Sequence, residues 1–291
     1  FIPKEPNLNE IEVDMRLGYS QTKSAGSNQY ADASLSVPLV EDKAAVRLTG
    51  SWEERDGWQV GPNGEDDYGD DEISDLRLQF LAEPTDKLSI SFLGVWNELD
   101  TVPGTLLVEN DPPTTYNTTD EGFSDAEYEI FSATIEYEFE SAFLTSTSTV
   151  YNYEDSMFAS PFLDLGGFGF VFPFGLADES ETFNNETRLV SAGDGPFDWV
   201  LGVFYTDAEL DRLFTSPFVP PAPAAVTKSE SISVFGEVSY TFDNNVTVLA
   251  GLRYFEDDRS IEDPGLPEAV SYTHLRAHET EADLVCRLLL E

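Results

Sequence analysis

Between Leu35 and Trp58 the chain reads LSVPLVEDKAAVRLTGSWEERDGW, with apolar and polar residues alternating at a period of two. Period two is the side-chain repeat of a β-strand, and strict alternation gives each strand one apolar face and one polar face. Leu35, Val37 and Leu39 share a side of the first strand, and a tight acidic turn follows at Glu41 and Asp42. In the second strand Ala44, Val46, Leu48 and Trp52 oppose Lys43, Arg47, Thr49 and Ser51. A long acidic loop, GPNGEDDYGDDE, comes next.

The same unit recurs down the chain and predicts roughly eleven strands of about ten residues each. The first lies near Ile11 to Ser20, and later ones carry Leu76-Leu78-Phe80, Leu88-Ile90-Phe92 and Phe131-Ala133-Ile135-Tyr137-Phe139. Three more are marked by Trp199 to Tyr205, Ile232 to Phe242 and Val246 to Tyr254. Connections alternate in length. Short ones fall at Pro38–Lys43, Glu83–Lys87, Glu138–Ala142, Ala192–Phe197 and Asp243–Asn245; long ones span Glu54–Glu72, Glu98–Glu127, Glu154–Glu181 and Ala208–Lys228. Turns on one side and loops on the other are the layout of an outer-membrane barrel. A soluble β-sandwich also alternates, but its strands are shorter and its loops are not sorted by length. Trp52, Trp96, Tyr137, Phe139, Tyr151, Trp199, Tyr205, Tyr240, Phe242 and Tyr254 fall toward strand ends, where interfacial girdles sit. The expected fold is all-β: an antiparallel transmembrane β-barrel fragment, an open curved sheet with its apolar residues on the convex face.

Composition narrows the function. The 291 residues carry a formal charge of -41, which excludes ordinary nucleic-acid binding because that needs a basic footprint. No apolar run reaches the length of a transmembrane helix. The acidic stretch Glu65–Glu72 lacks the spacing of a calcium loop and reads as solvated surface, so neither a metal site nor a cofactor is expected. The chain opens FIPKEPNLNE, without a leader pattern, and enters a strand almost at once. It is expected to begin inside a longer exported protein.

The last segment breaks the pattern. VSYTHLRAHETEADLVCRLLLE, from Val270 to Glu291, holds both histidines, His274 and His278, and the one cysteine, Cys286. Its spacing invites a zinc-site or amphipathic-helix reading. Its two halves instead resemble a translated sequencing adapter, read in one frame on either side of a variable index. Residues 1–265 are therefore taken as the barrel and residues 266–291 as a non-native tail, adapter-derived from about residue 270. Without the tail the chain has no histidine and no cysteine, which removes the usual general base and the commonest transition-metal ligand. An enzyme is not expected.

With the repeat in hand, PLVEDKAAVRLTGSWEERDGW resembles the early barrel of TonB-dependent outer-membrane receptors. ISDLRLQFLAEPTDKLSISF, NNETRLVSAGDGPFDWVLGVFY and ISVFGEVSYTFDNNVTVLAGLRY resemble later barrel segments, in family order. The resemblance implies a transport receptor for scarce nutrients of the ferric siderophore, cobalamin or oligosaccharide class, located in the outer membrane of a Gram-negative bacterium. It implies a plugged lumen, energy delivered by the TonB complex through a region N-terminal to the barrel, and contacts with outer-membrane lipid and a small-molecule or metal-chelate ligand. The plug, the TonB box and about half the strands are not visible in the sequence. A plugless porin and an acidic surface adhesin are the competing readings.

Ligand capture is expected in the long loops, where Phe168, Phe170, Phe172 and Phe174 form an aromatic run. The plainer expectation is that those rings pack against the lumen, a neighbouring loop or the interface. Arg47, Arg77, Arg188 and Arg253 are expected to face the lumen, there either lining the conduit or contacting the plug, or more simply pairing with acids of adjacent strands. No catalytic residue is expected.

Overall fold

The computed structural model describes residues 4–21, 26–57, 69–102, 122–160, 162–164, 169–193, 195–220, 223–243, 246–262 and 286–287. One antiparallel meander carries the fold. Its long strands are β1 (Glu12–Gln21), β2 (Ser27–Val40), β3 (Ala44–Arg55), β4 (Asp71–Thr85), β5 (Leu88–Thr101), β6 (Phe123–Glu138) and β7 (Ala142–Ala159). A small hairpin of β8 (Phe162–Asp164) and β9 (Gly169–Val171) intervenes. The meander then continues through β10 (Phe174–Ser191), β11 (Phe197–Thr215), β12 (Ala225–Thr241) and β13 (Thr247–Glu262).

Cross-strand register assigns the faces. One row runs Val13, Leu35, Leu48, Leu78, Gly94, Phe131, Val150 and Phe183, each the direct partner of the next. The opposite face carries Glu12, Ser36, Arg47, Gln79, Leu93, Ser132, Thr149, Asn184, Thr206, Ser231 and Asp257 in another such row. Leu17, Leu35, Leu48, Ile135, Leu201, Val234 and Leu252 are exposed on the apolar side, whereas Ser36, Ala45, Arg47, Gln79, Val95, Ser233 and Asp257 are buried on the polar side. Side chains crowd on a concave face and splay on a convex one. The apolar face is therefore the convex, outer one, as the alternation predicts. Such an outer surface suits hydrocarbon as its solvent, not water.

The strands are longer than expected. They range from 10 residues in β1 to 19 in β11. At about 3.3 Å per residue β11 extends roughly 60 Å, and a tilt near 40° leaves about 45 Å of height against an apolar band of about 25 Å. The wall thus rises about 20 Å beyond the bilayer on the long-loop side. Sequence reading missed this extension because segments such as Asp125–Glu129 and Asp207–Arg212 alternate acids with small or mixed residues and give little apolar signal. The expected loop Glu154–Glu181 is largely strand, since β7 runs to Ala159 and β10 starts at Phe174. The expected loop Ala208–Lys228 shrinks likewise, to the stretch between Thr215 and Ala225. The short turns stay short. That between β2 and β3 places Asp42 at φ 59°, a left-handed conformation an aspartate tolerates better than most side chains.

Aromatic rings bracket the apolar band. At the short-turn end Tyr137 meets Phe139 at 4.7 Å and Tyr240 meets Phe242 at 4.8 Å. At the other end Trp52 donates to Glu72 at 2.8 Å, Tyr205 to Glu230 at 3.1 Å and Tyr254 to Glu256 at 2.9 Å. Apolar bodies with polar tips fit a membrane interface. Tyr151 is the exception to the expected girdle. It pairs with Thr182 and Ile130 on the inner face. It directly follows the outer-facing Val150, so strand alternation turns it inward.

The tail expectation falls mostly outside the described residues, as do both histidines. Of the tail, only Cys286–Arg287 is described; these residues form β14 and pair with Val248 and Thr247 of β13.

Candidate ligand-facing wall

All arginines of the eleven long strands stand on the inner face. Arg47 is the most enclosed: it binds Glu12 at 3.0 Å, Asp14 at 3.5 Å and the Ser34 hydroxyl at 2.8 Å. Because β2 lies between β1 and β3, this guanidinium reaches across an intervening strand. Glu12 also binds Lys4 at 2.6 Å, and the Asn7 backbone N–H donates to the Ser36 hydroxyl at 2.8 Å. The Asp42 N–H donates to the Leu8 carbonyl at 3.2 Å, so the segment before β1 is pinned across the β2–β3 turn.

The other expected lumen residues differ in their pairing. Arg77 meets Asp75 at 3.6 Å and Arg188 meets Glu186 at 3.2 Å, each two residues back on its own strand. Arg188 thus meets an acid of its own strand where an acid of an adjacent strand is expected, because residues two apart share a face. Arg253 donates to the buried Ser233 hydroxyl at 2.7 Å and stands 5.6 Å from the Phe255 ring. Among the described residues no carboxylate forms an ion pair with it.

Above the aromatic belt the inner wall changes character. Tyr128 and Tyr151 have centroids 6.3 Å apart, and Tyr151 and Tyr153 are also 6.3 Å apart with planes 12° from parallel. Val95 and Ile130 continue the shelf downward through the row Arg77, Val95, Ile130, Tyr151. On its upper edge Asp155, Asp178 and Arg212 are direct neighbours on successive strands. Arg212 clasps Asp178 with both prongs, its Nε donating at 2.8 Å to one oxygen and its Nη2 to the other. Burial, and secondarily the Asp178 charge, push the Asp155 carboxyl above its ordinary value. This shelf was absent from the sequence reading. The signal that could have found it is YNYED set against DAEYE at matching register.

At the rim the phenylalanines gather. Phe170 and Phe172 are 6.5 Å apart, Phe172 stacks on Phe218 at 5.6 Å, and Phe174 stacks on Phe214 at 6.2 Å. The Ser216 hydroxyl donates to the Pro173 carbonyl at 3.0 Å, tying the β11–β12 connection to the start of β10. Of the four expected loop phenylalanines, Phe172 packs against the neighbouring β11–β12 connection, Phe170 against Phe172, and Phe174 against Phe214 of β11; Phe168 lies outside the described residues.

The outer face above the belt is acidic. Glu98, Glu127, Glu154, Glu179 and Asp211 are direct partners on five consecutive strands of the sheet, making one row of carboxylates. Lys228, paired to Glu209 at 2.9 Å, is the one cation of the long strands on that face. Among the described residues no group of three or more His, Cys, Asp or Glu side chains is placed to hold a metal ion.

An antiparallel meander with a convex apolar band, aromatic interfaces and a polar concave wall is the wall of a membrane-spanning β-barrel. The chain belongs to the family described as TonB dependent receptor-like, beta-barrel, which it matches over residues 57–274. The match begins after the Leu35–Trp58 hairpin has almost ended and reaches a few residues past Val270. Barrels of this family lie in the outer membrane of Gram-negative bacteria, and so does this one. No curated protein matches the sequence.

Solved structures agree on the fold. The ferric yersiniabactin uptake receptor of Yersinia pestis superposes with TM-score 0.71 at 12% identity, over 96% of this chain and 44% of that one. The ferripyoverdine receptor of the outer membrane of Pseudomonas aeruginosa gives 0.72 at 9% identity, over 94% and 40%. The ferric preacinetobactin receptor of Acinetobacter baumannii gives 0.69 at 10% identity, over 96% and 44%. The chain spans less than half the length of each of these receptors.

Proposed function

We propose that this chain is part of the wall of an active uptake receptor that captures a scarce nutrient outside the cell and passes it inward with energy supplied through TonB. The family match over residues 57–274 is the observation that carries the reading. The neighbours named for ferric chelates favour a metal-chelate or similarly scarce small molecule as cargo. In this reading the convex band contacts outer-membrane lipid. Arg47, Arg77, Arg188 and Arg253 line the lumen, and the rim cluster of Phe170, Phe172 and Phe174, with Phe168, takes part in capture. The role is transport, with no catalytic residue.

The enclosure of Arg47 by Glu12, Asp14 and Ser34 supports a structural role for that residue, because a guanidinium already held by carboxylates has little left to offer a passing solute. Arg253 is the lining residue best placed to contact cargo. The test is to express the reading frame carrying this segment in a host stripped of its own receptors. Accumulation of radiolabelled ferric chelates and cobalamin is then compared with and without functional TonB. Uptake that depends on TonB supports the receptor. Passage that persists undiminished without TonB would identify a passive pore.

A further inference from the structure

This inference rests on the receptor reading and narrows its cargo. Tyr128, Tyr151 and Tyr153 present a partly exposed ring shelf on the inner wall, above the membrane band. Aromatic faces stack on flat ring systems and tolerate many of them. The one guanidinium on the shelf's upper edge, Arg212, is already held by Asp178, while Asp155 has no ion-pair partner among the described residues. One sheet thickness behind lie Glu127, Glu154, Glu179 and Asp211. Among the described residues, a solute on the shelf therefore meets stacking surface in a negative field, with no free cation beside it.

We infer that the shelf binds a small solute with a flat ring face and neutral or positive charge, and discriminates against polyanionic chelates. Charge of one sign around a cleft raises the local concentration of opposite charges and depletes like ones, an effect that salt screens. Ring stacking supplies affinity; the field supplies selection.

Outer-membrane vesicles bearing the receptor would be tested for equilibrium binding of three labelled probes. These are cyanocobalamin and maltohexaose, both uncharged, and a trianionic ferric tris-catecholate. At low salt at least one uncharged probe is expected to bind about tenfold tighter than the tris-catecholate, with the gap closing as salt is raised. Replacing Tyr151 and Tyr153 together by Ala should weaken the uncharged probe about tenfold, while Phe at both positions should keep affinity within about threefold. Asp155→Asn leaves the rings in place and should improve tris-catecholate binding about threefold.

Equal or tighter binding of the tris-catecholate overturns the inference, as does failure of every uncharged probe to bind. Indifference of the uncharged probe to the alanine pair, in vesicles whose barrel still migrates heat-modifiably, also overturns it; if that pair fails to fold, the Asp155→Asn result decides. TonB-dependent uptake of a trianionic chelate would leave the receptor standing and sink this inference. TonB-independent passage together with selective binding of an uncharged ring would do the reverse.

Discussion

The row Glu98, Glu127, Glu154, Glu179 and Asp211 offers a direct measure of how much self-repulsion the extended wall carries. Glu154 sits between Glu127 and Glu179, its direct partners on either side. Adjacent strands lie about 4.8 Å apart, so neighbouring carboxylates on one face stand roughly 5 Å from each other. In water that separation gives about 0.8 kcal/mol per pair, and screening at physiological ionic strength roughly halves it. Two pairs involve Glu154. Glu154→Gln should therefore stabilise the folded barrel by about 1 kcal/mol at physiological salt, somewhat more at low salt and almost nothing at molar salt. The assay is a urea titration of the receptor in detergent micelles at several sodium chloride concentrations, following near-ultraviolet dichroism. Glu98→Gln, at the end of the row with one acidic partner, should gain about half as much. A gain that does not shrink with salt, or a loss of stability at low salt, would refute the repulsion argument.

Other perturbations probe the inner face. Arg47→Ala should destabilise by about 2 kcal/mol because it empties a buried side-chain position and removes the bonds to Glu12, Asp14 and the Ser34 hydroxyl, whereas the exposed Arg188→Ala should change stability by less than about 1 kcal/mol. At Gly202 the Phe235 ring lies so close that an added Cβ would meet it at 2.1 Å. Gly202→Ala should accordingly cost about 1 to 3 kcal/mol, and pairing it with Phe235→Leu should recover part of the loss in thermal unfolding. Asp155 faces Tyr153, Asp178 and Arg212, and its folded value is raised, so the fold favours its neutral form. Its contribution is present at acid pH and lost as pH rises through the folded value. Asp155→Asn should then stabilise at neutral pH and flatten the pH dependence of the unfolding midpoint on the acid side. A profile unchanged by the substitution would count against the assigned burial.

The strand pattern was legible because period two leaves a mark on every residue. Leu35, Leu48, Phe131, Leu201 and Val234 were assigned a face from alternation alone, and register confirmed it. Arg47, Arg77, Arg188 and Arg253 were placed on the polar face for the same reason. Strand length was not legible. The signal is apolar contrast, and the wall above the membrane alternates acids with small or mixed residues in water on both sides. Tyr151 was misplaced because ring chemistry and position near a strand end suggested a girdle, when one residue of parity decides the face.

Sequence by itself determined the architecture and the solvent of each face, since both follow from local periodicity and the sorting of turns from loops. Tertiary structure alone decided which residues meet. Arg47 reaches Glu12 across an intervening strand, the tyrosines of β6 and β7 align into a shelf, and five carboxylates fall into one row. Each depends on register between strands far apart in sequence, which hydrogen bonding fixes only once the sheet has formed.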